Sequence, residues 1–594
     1  MRIFLYPILS LFLAGFTLTA CDDEPSKTSN NINNTNNTNN TNNSNNANNA
    51  NNTNNANNGN YTTTSDVCGG VDAESEYTWS ESEERAVTLG GTSITAGEGV
   101  TVAGTTATIT RGGVYRVSGT LTDGRLVVDA ATDALVVLIL DDVNLTSATD
   151  APLVATSAGK VILHLPTGTT STLTDAATRP STTSANAAVH VSCDLAINGG
   201  GALVVHGRYN DGLRSMRGLA VHGGALTVDG KDDALVAEDC VVVHAGTFQL
   251  DTTSGDALKA ENSVSASLGY VHVFGGTFTI DAASDGLQAE TDLWITAGTF
   301  DVTCAGGAGG AVNDALSAKA FKAGTDLTVT GGDFQVDSAD DAFHSNADLT
   351  IEDGTITIAT SDDAFHSEST LLIAGGDVTV TACYEAVESV AITISGGTLH
   401  LRSSDDALNA AGDTTPRSLT ISGGYLAITT DGDGVDANGN ITMSAGTVIV
   451  HGPTRNDNGA IDCDGTFRLT GGFLVAAGSS GMAEAPDNVS TQYSVLWGHN
   501  TAVPAGTLIH LRTSAGTELL TFKSTKAVQS VCFSSPGFVA GSYAIYTGGS
   551  YGPGGETDGV YSGGTYTPGT QFRTFTASSP VTKVNISGGP PGGK

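Results

Sequence analysis

One hexapeptide is written twice in this 594-residue chain. Asp340-Asp341-Ala342-Phe343-His344-Ser345 returns about 22 residues later as Asp362-Asp363-Ala364-Phe365-His366-Ser367. A fixed return of that length marks stacked repeats. The same plan, an acid, then Ala or Gly, then an apolar residue, recurs at Asp211, Asp233, Asp256, Asp285, Asp314, Glu385, Asp406 and Asp433, and decays at Gly459. Between the copies lie short runs of period two, such as Leu349-Thr350-Ile351 and Ile356-Thr357-Ile358, punctuated by pairs such as Gly331-Gly332 and Gly375-Gly376. No stretch holds a helical period. Three short strands with their corners fill about 22 residues at roughly 3.3 Å per strand residue. The expected fold is therefore all-β, a parallel β-helix, right-handed by the general rule for parallel crossovers.

Stacking the coils sorts the residues. Leu213, Leu235, Leu258, Leu287, Leu316, Phe343, Phe365, Val387, Leu408, Val435 and Ile461 are expected to point inward, with a small residue two places on. The outward positions of the same strand form a polar strip that includes Lys259, Glu261, Gln288, Glu290, His344, Asn346, His366 and Glu368. These are the candidate ligand-binding residues. The acids that open each strand would stand in a column. Two such charges about 4.8 Å apart repel by roughly 3.5 kcal/mol at an effective dielectric near 20. Two arrangements relieve this. A corner aspartate can accept backbone N–H groups, or a bound cation such as calcium can take carboxylate oxygens as ligands. His344 and His366 are placed to share a metal, to bond sugar hydroxyls, or simply to meet solvent.

The ends differ from the body. Arg2 and the apolar run Ile3 to Thr17, closing on Leu18-Thr19-Ala20-Cys21, form a secretory signal with the pattern of a bacterial lipobox over residues 1–20. Cys21 is the expected lipid attachment point, so the chain is expected to be a membrane-anchored lipoprotein of the cell surface or periplasm. Residues 21–66 are dominated by asparagine and can bury no core. They make a flexible tether reaching roughly 35–40 Å. The solenoid is expected over 67–500, a small β cap over 501–548, and a loose Gly, Ser, Thr and Pro end over 549–594. The net charge of −37 disfavours nucleic acid as a partner. Eight cysteines at wide spacing match no zinc pattern; they read as small core fillers with one or two disulfides.

The D-[AG]-[LF]-x-[AS] strand starts, the Gly-Gly turns, Gly113 to Leu121 and Asp194 to Gly199 together resemble a bacterial carbohydrate-binding family of polysaccharide-lyase-like β-helices. The resemblance spans roughly residues 85 to 548. It implies bound calcium and binding of plant-type polysaccharide such as cellulose or polygalacturonate. The family's calcium motif maps onto Asp211, Asp233, Asp256, Asp285, Asp314, Asp341, Asp363, Asp406 and Asp433, with departures at Glu385 and Gly459. Three functions remain open. One is a monomeric surface protein that holds a glycan along the polar strip. Another is a calcium-dependent lyase, which needs a base such as Lys259, Lys319 or Arg214. The third is an adhesin or structural solenoid with no sugar ligand.

Overall fold

The computed structural model describes residues 74–180, 185–310, 317–412 and 414–586. The signal, Cys21, the asparagine-rich tether, Asp314 and Leu316 lie outside these. The described chain is built from β-strands, with two short 3-10 turns near its start. It winds into a parallel solenoid of about 15 turns, each of ~24 residues. Every coil lays one strand on each of three sheets. One coil contributes Phe343–Ser345 to the first sheet, Asp348–Ile351 to the second and Thr355–Thr360 to the third. Equivalent strands of the next coil pair with them in parallel, so Phe343 faces Phe365, Leu349 faces Leu371 and Ile356 faces Val378.

Alternation decides what fills the interior. The strand Thr355–Thr360 buries every second residue, and the buried set continues from coil to coil. On the third sheet Phe248, Phe278, Phe300 and Phe334 stack face to face, with centroids 4.5 to 4.9 Å apart. On the first, Phe321 stacks on Phe343 at 4.7 Å and Phe343 on Phe365 at 5.3 Å. Parallel pairing sets this spacing, since neighbouring strands lie about 4.8 Å apart. At the corner between the second and third sheets, Gly397 has φ +84°, and a Cβ there would sit 2.8 Å from the Gly375 carbonyl oxygen. A side chain cannot make that turn, which explains the recurring Gly-Gly pair.

One coil departs from its expected register. The strand that pairs with Leu287–Ala289 is Phe321–Ala323, so the rung is Phe321, not Leu316, and the small residue is Ala323, not Ala318. The acidic position of that coil is Lys319, 34 residues after Asp285. Asp314-Ala315-Leu316 repeats the pattern in sequence and lies outside the described residues.

The third sheet ends on Phe473–Gly478. Val528–Ser534 pairs with it antiparallel, Ser494–Val503 follows, and Val581–Val584 completes the edge. Beyond them, six strands form a second, antiparallel sheet. The expected loose end is corrected here. Gly541–Gly552, Gly555–Thr557, Val560–Ser562 and Thr565–Ala577 are strands of that cap. Tyrosine and phenylalanine rings fix them, with Tyr543 against Phe575 at 5.4 Å and Tyr551 against Tyr561 at 5.2 Å. Cys193, Cys304, Cys383, Cys463 and Cys532 are free thiols, all but Cys463 buried, and Cys240 is disulfide-bonded.

Candidate functional site

The acidic column is real, and most of its chemistry is spent within the fold. Its aspartates sit at the corner entering the first sheet, and most accept, through Oδ1, the backbone N–H of the equivalent residue one coil on. Asp256 N–H donates to Asp233 at 2.8 Å, Asp285 N–H to Asp256 at 2.9 Å, and Lys319 N–H to Asp285 at 2.9 Å. Asp363 N–H donates to Asp341 at 3.1 Å, Glu385 N–H to Asp363 at 3.2 Å, and Gly459 N–H to Asp433. Asp211, Asp233, Asp256, Asp285, Asp341 and Asp363 are all buried. Their buried N–H neighbours need an acceptor, which the column supplies.

The second oxygen meets the outward residue of the strand. Register joins those residues in one line: Arg214, Val236, Lys259, Gln288, Lys322, His344, His366, Glu388, Asn409, Asp436, Asp462. The first part of the line is cationic. Arg214 reaches Asp211 Oδ2 at 3.0 Å, Lys259 reaches Asp256 at 2.7 Å and Lys322 reaches Asp285 at 3.0 Å. His344 and His366 reach Asp341 and Asp363 at 2.8 and 3.0 Å. Lys319, in the acid's place, turns its amine to Asp340 at 2.6 Å and Asp341 at 2.9 Å. Where the outward residue is Val236, burial and the neighbouring Asp256 push Asp233 up to about 7. Burial opposes charge on His366, yet its hydrogen bonds to Asp363 and Glu388 prevail and raise it to about 11.

Past His366 the cations stop and the line turns acidic. Burial, together with Glu388 and Asp363, pushes Glu385 up to about 9 against the Asn409 hydrogen bond. Burial also lifts Asp406 to about 6. Asp436 rises to about 8 through burial and the charges of Asp406, Asp433, Asp462 and Asp464. Asp433, Asp436 and Asp462 bring carboxylate oxygens within 4.8 Å of one another. Beside Asp436 in the line lies Asn409, 8% exposed. Its amide donates to Glu385 at 2.8 Å, and its carbonyl Oδ1 has no hydrogen-bond partner. Carboxylates with one amide carbonyl form an all-oxygen donor set, the chemistry of a hard cation. An orphaned buried acceptor next to crowded carboxylates fits that use. Asp340, Asp341 and Asp362 also cluster, but Lys319 already pairs with two of them, Asp340 and Asp341. The mixed groups Asp341–His344–His366 and Asp363–His366–Glu388 can hold a metal by position, although protons on the rings serve the carboxylates in its place.

The remaining expected binding residues are brought together, largely onto one another. Glu261 pairs with Arg214, Gln288 donates to Glu290 at 3.1 Å, and His344 bonds Asn346 at 2.9 Å. Glu368 is exposed, 3.7 Å from His366. An acid-led pattern does not mark Lys319 and Lys322 as parts of the column, because no acid opens their coil. The signal was present, since Lys319-Ala320-Phe321-Lys322-Ala323 keeps every other position of the plan.

Three comparisons relate the chain to known proteins. The model of a family of carbohydrate-binding domain-containing proteins matches residues 103–364 and again 362–567. A carbohydrate-binding domain-containing protein of Acetivibrio thermocellus is 31% identical over 220 residues, covering 35% of this chain and 77% of that protein. A solved polysaccharide lyase-like protein from C. thermocellum, a gadolinium derivative, aligns at 24% identity and TM-score 0.32, over 50% of this chain and 94% of the other. With two adjoining matches that together span most of the solenoid and reach into the cap, this chain belongs to the carbohydrate-binding domain-containing family.

Proposed function

We propose that the protein is a non-catalytic surface lipoprotein that binds an acidic plant-type polysaccharide along its first-sheet face, with calcium at the acidic end of the outward line. The observation that carries this is the change of sign along that line. Its cationic part balances the ladder internally. Its acidic part gathers Asp433, Asp436 and Asp462, and the residue beside Asp436 in register, Asn409, carries an orphaned carbonyl. Calcium takes six to eight oxygens. These residues would hold it on one side, leaving positions for water and for the carboxylates of a polyuronate. A protein of net charge −37 needs such a bridge to hold a polyanion. Half-exposed Tyr270 and Trp294, 6.0 Å apart, offer less ring surface than a flat cellulose face asks for. The signal with Cys21 and the asparagine-rich spacer support display away from a membrane.

The lyase reading is weaker. Its base must give up a proton, and the candidates are tuned the other way. Burial disfavours charge on Lys259 and Lys319, but Asp256 and Asp341 outweigh it and raise both. Arg214 is held by Asp211 and Glu261.

Co-sedimentation with insoluble polygalacturonate tests the proposal. We expect retention with calcium, release by EGTA, and about ten-fold weaker binding by Asp436→Asn. Retention unchanged by EGTA and by D436N would sink the calcium bridge. Unsaturated product accumulating during the incubation would restore the lyase.

A further inference from the structure

A second concave surface lies on the third sheet, away from the acidic column. The cap hairpin Gly555–Thr557 and Val560–Ser562 turns through Asp558 and Gly559, with φ +45° and +81°. Asp-Gly with both residues left-handed is the two-residue turn that matches strand twist. The tip is seated on three successive coils. Asp558 Oδ2 accepts from Tyr425 OH at 2.6 Å and lies 3.3 Å from His400 Nε2. His451 Nδ1 accepts from Thr525 N–H at 3.3 Å, so its Nε2 carries the proton and donates to the Asp558 carbonyl oxygen at 3.1 Å. Burial keeps His451 neutral, in accord with that single proton.

This seating leaves a groove of about 470 Å³ between sheet and hairpin, a size that suits one or two sugar rings. Its charges are unevenly committed. Asp558 is engaged by Tyr425 and His400, and Glu556 accepts the Gly559 N–H at 2.7 Å. Arg402, on the third sheet, and Lys523, on the cap, form no ion pair among the described residues; Lys523 lies over the Tyr561 ring at 5.2 Å, hydrogen-bonds that side chain and has the charge of Glu556 near it. Thr381 and Thr429 line the same groove. With Asp558 and Glu556 tied into the seating of the hairpin, Arg402 and Lys523 are charged donors of the groove that an incoming anion can meet.

We infer that this groove is a second saccharide site, specific for a pyranoside that carries one anionic group, a carboxylate or a sulfate ester, clasped between Arg402 and Lys523. The inference rests on carbohydrate binding by the family, and it does not depend on calcium or on the acidic column. Isothermal titration of the whole protein in EGTA, with methyl glucuronide, galactose 6-sulfate and neutral methyl galactoside, tests it. We expect saturable binding of one or both charged sugars and none of the neutral one. Which charged sugar binds identifies the anionic group. Arg402→Gln and Lys523→Gln should each weaken binding about ten-fold, with Asp436→Asn unchanged. Both substituted side chains line an open groove, and an unaltered melting temperature checks that the variants fold. Equal binding of the neutral sugar, charged-sugar binding untouched by R402Q and K523Q, or no binding of any probe overturns the inference. Failure of calcium-dependent retention on polygalacturonate, by contrast, would strike the column alone.

Discussion

The side chain that explains most about this protein is the corner aspartate, which does two jobs with two oxygens. Asp256 shows both: its Oδ1 takes the N–H of Asp285 and its Oδ2 takes the amine of Lys259. Asp256→Ala should therefore orphan a buried donor and a half-buried cation together, at about 3 kcal/mol in a urea titration. Asp233→Asn keeps the Oδ1 acceptor for Asp256 N–H and removes a carboxylate that burial has raised to about 7. It should leave stability at pH 8 unchanged or improved. If both substitutions cost the same, the division of labour between the oxygens is wrong.

At the scale of the element, the short first-sheet strand is fixed by its neighbours rather than by its length. Phe343 stacks between Phe321 and Phe365, and Phe343→Ala should cost about 3–5 kcal/mol by denaturant titration, more than Phe343→Leu, because the adjoining rings cannot close the gap. Such rungs were legible in the sequence, since Asp-Ala-Phe states corner, spacing and core residue in three letters. The Phe321 rung was less so. Its corner residue is Lys319, and the acid-led pattern at Asp314 lay nearby. The cap strands beyond residue 548 were hidden for another reason. Their glycine and threonine content reads as loose chain, and cross-strand ring contacts such as Tyr543 with Phe575 and Tyr551 with Tyr561 give them a core. The groove had no local signal at all, because it joins His400 to Asp558 across 158 residues.

For the whole molecule, the uneven charge of the outward line makes stability depend on pH in one direction. Asp406, Asp436 and Glu385 have folded pKa values above their unfolded ones, at about 6, 8 and 9. The stability tied to their protonated forms is present below pH 4 and is lost as pH rises through those values. His366, raised to about 11, adds stability that is full below its unfolded pKa near 6.5 and fades above it. Melting temperature in EGTA should therefore fall between pH 5 and 9. Calcium should restore it, with a gain that grows with pH; a gain independent of pH would argue against cation binding at the acidic end. The ladder itself carries a different consequence. Its bond links an aspartate to its counterpart one coil away, so a coil can be lost or duplicated and the severed partners meet equivalents of themselves. Lineages of such proteins are free to change length by whole turns, and the reach of the binding face can evolve without redesign of the fold.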